Sequence, residues 1–398
     1  MNGETTGDVF LAGGTRTAIG GLSGVFAETS AVALGRDAVR ETLVRSGVAH
    51  AHVDEVILGN VLSAGLGQNV ARQVSIGAGL SPSVGATTVN KMCGSGLKAV
   101  MLAAQAIRCG DASVVVAGGT ENMSQAPYLL QKACTGYRLG DGKLVDSMIR
   151  DGLWDAYEDL HMGTYADRCA ARYGFSREAQ DDFAIASYER ALASAAARAD
   201  EIVPVEALSG RGTVTVSFDE EPKRFDQAKL RKLPPAFAED GTVTAGNASS
   251  INDGAAAILV LSGKRVGELS VTPQARILGY ATASREPEWF TLAPIQAIQT
   301  LLEQLGLRVD DIDLFEINEA FSAVAMAAMQ ELNIGHEKVN VHGGAVALGH
   351  PIGASGARTL VSLLNGLQHR EAKIGINVLC IGGGEAVAMA VERTGYKG

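Results

Sequence analysis

Apolar residues follow two different spacings along the chain, and these spacings predict an alternation of strands and helices. Residues 114–117 (VVVA) are apolar at every position, as expected for a strand buried on both faces of a largely parallel sheet. After Ser95 the apolar residues recur at helical spacing until Gly110, which is expected to end the helix. The helical stripe comprises Leu97, Met101, Ala104 and Ile107. Together these patterns predict an α/β protein.

The same order of segments occurs twice along the chain. The first copy contains a helix ending at Gly47, VILGN at 56–60, VN at 89–90, SGLK at 95–98 and a strand at 114–121. The second copy contains a helix ending at Gly306, LFEIN at 314–318, VN at 339–340, SGAR at 355–358 and a strand at 376–385. Two unrelated halves could each use the common strand-turn-helix pattern. Here the order, spacing and type of the residues all agree, which favours duplication. The serine that opens each SG motif, Ser95 or Ser355, is the expected N-cap of its helix.

A segment of different character separates the two copies. It holds most of the aromatic residues and one long predicted helix after Ser176. The apolar stripe of this helix comprises Ile185, Tyr188, Leu192 and Ala196. We therefore predict an N-terminal half at 1–121 and 251–270, an inserted lobe at 122–250, and a C-terminal half at 271–398. Lobes inserted at the carboxyl edge of an α/β sheet commonly bind ligand, which is an analogy between folds only.

Length, charge and terminal sequences narrow the class of protein. The 398 residues exceed one ordinary compact core, and a net charge of −10 opposes general binding to nucleic acid or to an anionic membrane. No apolar run is long enough to span a bilayer, and the first ten residues carry Glu4 and Asp8 where a signal peptide would be basic. Residues 395–398 (GYKG) are not a peroxisomal address. These features favour a cytoplasmic protein.

Five cysteines, at 93, 109, 134, 169 and 380, form no CxxC pair and are odd in number. Such a set argues against a disulfide framework and against a zinc site, so no metal is expected. An anionic ligand would need a local cluster of cations. One candidate cluster comprises Lys223, Arg224, Lys229, Arg231 and Lys232. On charge alone, a solvated face is the favoured interpretation of this cluster.

Cys93 has the surroundings of a nucleophile. It stands in VNKMCGSGLK at 89–98, between a predicted strand and the first turn of a predicted helix. Free amides and the helix dipole at that position are expected to lower the pKa of the thiol. The flanking glycines would let a substrate carbonyl approach closely. Because a lone buried cysteine is usually inert, the catalytic interpretation depends on partners.

The second copy of the repeat supplies candidate partners. His350 lies in GGAVALGHPIGASG at 343–356, before the helix that corresponds to the one after Cys93. Cys380 lies in CIGGGE at 380–385, the turn that corresponds to residues 118–119, and Asn318 ends a strand at the same edge. Because repeats related by a pseudo-twofold axis bring equivalent loops together, we expect these side chains to meet at one site.

With these motifs, the sequence resembles the thiolase family along essentially its whole length. This family includes acetyl-CoA acetyltransferases and 3-ketoacyl-CoA thiolases. Besides the blocks around Cys93, His350 and Cys380, the matching motifs are RT at 16–17, GQNVAR at 67–72, GTENMS at 119–124 and GNAS at 246–249. The resemblance implies a duplicated thiolase fold, with two βαβ-type halves packed as αβαβα layers and an inserted loop domain that binds coenzyme A. It also implies a homodimer or homotetramer.

The resemblance implies a ping-pong Claisen condensation of two acetyl-CoA molecules into acetoacetyl-CoA and CoA, and the reverse thiolysis. His350 would take the proton of Cys93, which becomes acylated, and Cys380 would then remove an α-proton from the second acyl-CoA. Asn318, through a water, and His350 would stabilise the enolate oxygen. The backbone amides of Cys93 and Gly382 would hold the oxyanion of the acyl-enzyme. The acyl-CoA thioesters are substrates, and no further cofactor is expected.

For coenzyme A, the resemblance implies a mostly apolar cleft around the pantetheine arm, in which Ser249 hydrogen-bonds the arm. The cleft residues are Leu153, His161, Met162, Phe237, Ala245, Gly246, Ser249, Ala320 and Phe321. Either Lys223 or Arg224 falls where the family places a cation near the nucleotide.

The choice of substrate stays open at this stage. HMG at 161–163 resembles the short-chain members, which favours a small substrate. FTLAP at 290–294, beginning with Phe290, departs from the Met-Gly pair of many short-chain members and resembles a subset that includes enzymes for 2-methyl-branched substrates. The alternatives are therefore a 3-ketoacyl-CoA thiolase of broader range, a ketoacyl synthase, which the Cys380 turn disfavours, and a non-catalytic acyl-CoA-binding relative.

Overall fold

The computed structural model describes residues 7–209 and 212–395, and for residue 209 the backbone alone. The terminal sequences considered above therefore lie partly outside the described residues, at 1–6 and 396–398. The strands are β1 Val9–Thr17, β2 Gly20–Gly21, β3 Glu55–Gly59, β4 Gly85–Val89, β5 Val114–Asn122, β6 Tyr128–Leu130, β7 Leu144–Asp146, β8 Ile202–Val203, β9 Val205–Ser209, β10 Gly212–Val216, β11 Asn252–Ser262, β12 Ala275–Ser284, β13 Leu314–Ile317, β14 Ile374–Ile381 and β15 Glu385–Arg393. The helices are α1 Ala31–Ser46, α2 Val70–Gly77, α3 Ser95–Cys109, α4 Met162–Tyr173, α5 Arg177–Ala193, α6 Ala195–Ala199, α7 Gln227–Leu230, α8 Gly263–Glu268, α9 Ala293–Leu305, α10 Ser322–Leu332, α11 Ala345–Leu348 and α12 Ile352–His369.

The strands form two copies of one arrangement. In the first, the order is β4-β3-β5-β11-β1, where β3 runs parallel to β4 and β5, and β11 runs antiparallel to β5 and β1. In the second, the order is β13-β14-β15-β12 with the same senses, and a parallel bridge from Phe315 to Val339 occupies the place of the β3–β4 pairing. The two copies join where β1 and β12 share two residue pairs. The predicted duplication is thus present in the sheet topology.

Helices form three layers around these sheets. Helices α3 and α12 pack against each other, and their apolar faces lie in one core with residues of β1, β5, β11, β14 and β15. Helices α1 and α2 cover the outer face of the first sheet, and α9 and α10 cover the outer face of the second. The order of layers is therefore αβαβα, which confirms the predicted fold class.

Glycines allow the two central helices to cross closely at their N-terminal ends. A Cβ atom added at Gly356 would lie 2.2 Å from the backbone nitrogen of Leu97, and one added at Gly96 would lie 2.7 Å from that of Ala357. A side chain at either position would force the helices apart. This contact brings together the loops that precede α3 and α12, which carry Cys93 and His350.

The start of α12 is also tied to the first half by a buried carboxylate. Glu121 accepts hydrogen bonds from the backbone N–H of Gly353 at 2.9 Å and from the side chain of Asn60 at 2.8 Å. A Cβ atom added at Gly353 would lie only 2.6 Å from Glu121 Oε2. The N-terminal end of α12 therefore has no room for a side chain at position 353.

Two helix predictions need correction. Ser95 and Ser355 are not N-caps, because α3 begins at Ser95 itself with Gly94 as its N-cap, and Ser355 is the fourth residue of α12. In the inserted lobe Ser176 does cap α5, but this helix ends at Ala193, and both Leu192 and Ala196 are exposed. The buried face of α5 is instead formed by Gln180, Asp181, Phe183, Ala184, Ile185, Ser187 and Ala191. Among the described residues, no helix combines the length and apolar character needed to cross a bilayer.

A buried ion network fastens the inserted lobe to β1. Arg16 Nε lies 2.7 Å from Glu201 Oε1, Arg16 Nη1 lies 2.7 Å from Asp219 Oδ1, and Arg198 Nε lies 3.2 Å from Asp219 Oδ2. Burial by itself would raise the pKa of Asp219, but the two guanidinium groups lower it to about 2. The carboxylate thus stays charged and compensates two buried cations.

We expect Asp219→Asn to destabilise the fold, because it leaves two buried guanidinium groups with too little negative charge. Removing one partner of a buried ion network typically costs about 3–5 kcal/mol. Urea unfolding followed by circular dichroism would measure the loss. The control is Glu268→Gln, which removes surface ion pairs with Lys264 and Arg265 and should change stability little. Equal stability of the two variants would contradict this role of the network.

Candidate active site

A cavity of about 1000 Å³ lies where loops of both copies of the repeat face the inserted lobe. Its wall includes most of the site residues predicted from the sequence, which come from three separate parts of the chain. These residues are Cys93, Leu153, His161, Met162, Arg224, Phe237, Ala245, Ser249, Phe290, Ala320, Phe321, His350 and Gly382. A cleft of this size with a mainly apolar wall and few polar groups is typical of a small-molecule site.

Cys93 sits in a tight turn between β4 and α3. The preceding residue, Met92, has a φ of 47°, which is uncommon for a side-chain-bearing residue. A Cβ atom added at Gly94 would lie 2.5 Å from Ile381 Cδ1, so the turn packs directly against the end of β14. This packing places the Cys93 sulfur beside the backbone N–H of Gly382, which hydrogen-bonds it.

The pKa of Cys93 differs from the sequence-based prediction. Burial raises the pKa of this thiol to about 11, and the backbone N–H groups of Gly382 and of Cys93 itself offset only part of that rise. The predicted lowering by free helix amides is wrong. The N–H groups of Gly94 and Ser95 are already bonded within the turn, to the carbonyls of Lys91 and Met92 at 3.1 and 3.0 Å. Cys93 therefore rests as a neutral thiol and needs a base.

His350 lies on the wall of the same cavity as Cys93. Its backbone N–H donates to Asn252 Oδ1 at 2.9 Å, and its Nδ1 lies 2.6 Å from Ser355 Oγ. Its Nε2 is buried and has no hydrogen-bond partner among the described residues. Burial, aided by the positive charge of Arg358, lowers the pKa of His350 to about 3, so the imidazole is neutral at physiological pH.

Cys380 lies near the end of β14 and is only 1% exposed. It packs in an apolar cluster with Phe290, Ala320 and Phe321, which also line the cavity. Burial raises the pKa of Cys380 well above its usual range, and a negative charge on Cys93 would raise it further. The two thiols are therefore close enough to interact, as the repeat predicted.

Asn318 follows β13, and its backbone N–H donates to the carbonyl of Val378 at 3.0 Å. Its side chain is fully buried, yet both polar atoms of the amide lack a partner within the described part of the chain. Buried amides are nearly always hydrogen-bonded, so an unpaired one marks a place for a polar atom of a ligand or a water. The adjacent Glu319 accepts bonds from Asn340 at 2.7 Å and from the N–H of Val346 at 3.1 Å, which fixes the loop before His350.

Aromatic rings line the outer part of the cavity. The His161 ring stacks on Phe237 with 4.6 Å between centroids, and Trp154 meets it edge-on at 6.2 Å. Ser249 Oγ donates to the carbonyl of Ala320 at 3.0 Å and keeps its lone pairs free to accept a bond. Trp154 also lines the cavity but was not predicted, because it belongs to an irregular part of the inserted lobe with no periodic pattern.

Two predicted contacts lie off the cavity wall. Gly246 packs against a leucine pair, and a Cβ atom added there would lie 2.8 Å from Leu230. The ammonium group of Lys223 lies over the ring of Phe218, 3.0 Å from its centroid. Of the two candidate cations, Arg224 lines the cavity, where it pairs with Glu220 and Glu221.

Comparison with known families and structures agrees with this geometry. Residues 9–264 match the thiolase N-terminal domain, and residues 271–393 match the thiolase C-terminal domain. The chain is 50% identical over 390 residues to an acetyl-CoA acetyltransferase of Pseudomonas aeruginosa, which covers 97% of this chain and 99% of the relative. It is 50% identical over 387 residues to an acetyl-CoA acetyltransferase of Escherichia coli, covering 96% and 98%.

Solved structures are similar along the same length. The Acat5 thiolase of Ascaris suum, solved in complex with coenzyme A, superposes with a TM-score of 0.92 at 44% identity and covers 97% of this chain and 100% of that one. The acetyl-CoA acetyltransferase of Bacillus anthracis superposes with a TM-score of 0.95 at 39% identity and covers 98% and 100%. With both domains matched and the duplicated fold and its cavity in place, the chain belongs to the thiolase family.

Proposed function

We propose that this chain is an acetyl-CoA C-acetyltransferase, which joins two acetyl-CoA molecules into acetoacetyl-CoA and CoA and also catalyses the reverse thiolysis. The observation that carries the proposal is the presence of Cys93 and His350 on the wall of one apolar cavity, with Cys380 in the apolar cluster that forms part of this wall and near enough to interact with Cys93. The names of the relatives at 50% identity support the same activity. The substrates are acyl-CoA thioesters, and the reaction itself requires no further cofactor.

The first half-reaction acylates Cys93. The neutral imidazole of His350 accepts the thiol proton as the sulfur attacks the thioester carbonyl. When the tetrahedral intermediate collapses, the imidazolium returns this proton to the leaving CoA sulfur. The backbone N–H groups of Cys93 and Gly382 already face the sulfur, so they are placed to bind the oxyanion that develops on the attacked carbonyl. The Cys93 thiol and the His350 imidazole are both uncharged at rest, so charge develops only as the sulfur attacks the carbonyl.

The second half-reaction forms the carbon-carbon bond. Cys380 first passes its thiol proton to the neutral imidazole of His350 and then, as a thiolate, removes an α-proton from the second acetyl-CoA. The resulting enolate attacks the acetyl group on Cys93, and the released Cys93 sulfur takes the proton back from the imidazolium. The unpaired amide of Asn318, through a water, and the Nε2–H of the His350 imidazolium stabilise the enolate oxygen. The apolar cluster around Cys380 disfavours the thiolate, so the thiolate is strongly basic once it has formed.

The outer part of the cavity receives the CoA moiety. The pantetheine arm lies along the apolar wall near Phe237 and Phe321, and its amide N–H donates to Ser249 Oγ, which is free to accept. Of the two candidate cations, Arg224 is the one on the cavity wall, where it is available to the nucleotide.

Incubation with acetyl-CoA is expected to place one acetyl group on Cys93, because only this thiol combines cavity exposure with two N–H groups facing the sulfur. Peptide mass spectrometry would locate the group. The thiolate absorbance of Cys93, measured as the difference between the wild type and Cys93→Ser, should also be absent at neutral pH, because the pKa of Cys93 is about 11. Acetylation of Cys380, or of neither residue, would contradict the proposal.

A broader substrate range is the second candidate, and Phe290 is the residue that raises it. The Phe290 ring is 3% exposed and contacts Phe321 and Tyr165 edge-on, at 6.4 Å between centroids in both cases, within the cluster that holds Cys380. Turnover of acetoacetyl-CoA, its 2-methyl form and a medium-chain 3-ketoacyl-CoA should be compared. Preference for acetoacetyl-CoA supports the main proposal, and a preference for either of the others supports the alternative. Absence of turnover with all three would instead support a non-catalytic acyl-CoA-binding protein.

We further expect a cytoplasmic enzyme of fatty acid metabolism that forms a homodimer or a homotetramer. Apolar side chains at 39% to 97% exposure project around the β6–β7 hairpin, and burying them would favour self-association. The exposed residues are Tyr128, Leu130, Tyr137, Leu139 and Leu144. Light scattering at micromolar protein should give a mass at least twice that of one chain, and a monomer would refute this expectation.

A further inference from the structure

Ser355 has no role in the reaction outlined above, yet it makes the closest contact to the catalytic histidine. Its side chain is fully buried, and its Oγ lies 2.6 Å from His350 Nδ1 and 2.8 Å from the carbonyl oxygen of Pro351. A serine hydroxyl has one proton and can donate only one of these two hydrogen bonds. The placement of that proton decides which nitrogen of His350 carries a hydrogen.

The carbonyl of Pro351 determines which of the two hydrogen bonds the Ser355 hydroxyl donates. If the hydroxyl donated to Nδ1, Ser355 Oγ and Pro351 O would face each other across 2.8 Å as two acceptors with no hydrogen between them, which is repulsive. If it donates to Pro351, Nδ1–H donates to Ser355 Oγ and both contacts are favourable. The proton of the neutral imidazole then resides on Nδ1, and the lone pair resides on Nε2.

The first copy of the repeat contains the same device without a histidine. Ser95, the counterpart of Ser355, donates to the carbonyl of Met92 at 2.6 Å and accepts the backbone N–H of Lys91 at 2.8 Å. Each serine therefore donates to a preceding carbonyl and accepts one N–H. In the second copy the accepted N–H belongs to the imidazole of His350.

We infer that Ser355 is a positioning residue that holds His350 in the Nδ1–H tautomer, so that the unpartnered Nε2 presents its lone pair to the Cys93 proton. The inference rests on the proposed role of His350 as the base. In the opposite tautomer, Nε2 would carry a hydrogen and could not accept the thiol proton. Acylation would then require the imidazole to exchange its proton first.

The tautomer can be measured directly on the whole protein. In wild-type chain labelled with 15N-histidine, long-range proton–nitrogen NMR at pH 7 should show His350 protonated on Nδ1 and unprotonated on Nε2. Comparison with His350→Gln identifies its signals among those of the seven histidines. An Nε2–H signal for His350 in the wild type would overturn the inference, and this measurement requires no Ser355 variant to fold.

Ser355→Ala should shift His350 toward the Nε2–H form and slow acetylation of Cys93 about 10-fold or more, since an enforced wrong tautomer costs a serine protease roughly 10⁴-fold. Ser355→Thr should keep both properties, because the hydroxyl of Thr359, one turn later, makes the same bond to the fourth preceding carbonyl at 2.9 Å. Ser362→Ala is the matched control, because Ser362 is buried on the same helix and its hydroxyl bonds to Glu201 at 3.2 Å.

A loss of acetylation in Ser355→Ala with an unchanged tautomer would overturn the inference, as would an unchanged rate. Failure of the proposed function has a different signature. If His350→Ala acetylated Cys93 at the normal rate, His350 would not be the base, whatever tautomer the wild type shows.

Discussion

Replacing Cys380 with serine is expected to stop turnover while leaving Cys93 able to accept an acetyl group. Acylation needs a base for the Cys93 thiol but no transfer of an α-proton, so Cys380→Ser should spare this half-reaction. Condensation and thiolysis both move a proton at the α-carbon, and a serine hydroxyl is far too weak an acid to exchange it. Turnover should therefore fall by at least the roughly 10²- to 10⁴-fold typical of losing a positioned acid-base group.

Two measurements on one preparation test this separation of roles. Intact-protein mass spectrometry after incubation with acetyl-CoA should show the acetylated chain accumulating, while the spectrophotometric loss of acetoacetyl-CoA in the presence of CoA should nearly vanish. Cys169→Ser is the control, because Cys169 is equally buried but belongs to a different apolar cluster from the one that holds Cys380. Its turnover should stay close to the wild-type rate. Near-normal thiolysis by Cys380→Ser, or loss of its acylation, would show that the two thiols do not divide the work in this way.

His350→Ala is expected to impair both half-reactions. The pKa of Cys93 is about 11, so at neutral pH almost no thiolate exists unless a base takes its proton during the attack. Without the imidazole, acetylation of Cys93 should fall by roughly 10²- to 10⁴-fold, and condensation should lose the stabilisation of the enolate oxygen as well. Rapid-quench measurement of acetyl transfer from acetyl-CoA would give the first loss separately from steady-state turnover.

The acylation rate of the wild type should also vary little between about pH 5 and 9. The pKa of His350 is about 3 and that of Cys93 about 11, so both groups keep their resting protonation states across this window. For the His350→Ala variant, His342→Ala serves as the control, since this buried histidine also has a pKa lowered by burial but lies off the cavity wall. A normal acetylation rate in His350→Ala would exclude His350 as the base.

Some features of the site follow from local sequence patterns, and others depend on the tertiary structure. The repeat and the meeting of Cys93 with His350 were predictable, because duplication preserves apolar spacing and turn residues at equivalent places. The pKa of Cys93 was not, because it depends on how deeply the turn is buried and on bonds made within that turn. Likewise, a serine before a helix-like stretch has the signature of an N-cap. Only the folded chain shows that Ser355 faces the ring of His350.

The choice between neighbouring cations also required the tertiary structure. Lys223 and Arg224 are adjacent and both positively charged, and no sequence pattern favours one over the other. The structure separates them because the ring of Phe218 covers the Lys223 ammonium, whereas the Arg224 guanidinium lies at the cavity wall. Contacts of this kind depend on residues that no periodic pattern brings together.

The crowded start of α12 explains why only one copy of the repeat carries a nucleophile. When the two SG motifs are aligned, the position of Cys93 in the first copy corresponds to Gly353 in the second. There a Cβ atom would collide with Glu121, whose carboxylate bonds to the Gly353 backbone N–H. At the position equivalent to Cys93, the space that a side chain would need is thus filled by Glu121 of the first half. Divergence after duplication could place a thiol on one side alone, and acetyl labelling should consequently saturate at a stoichiometry of one group per chain.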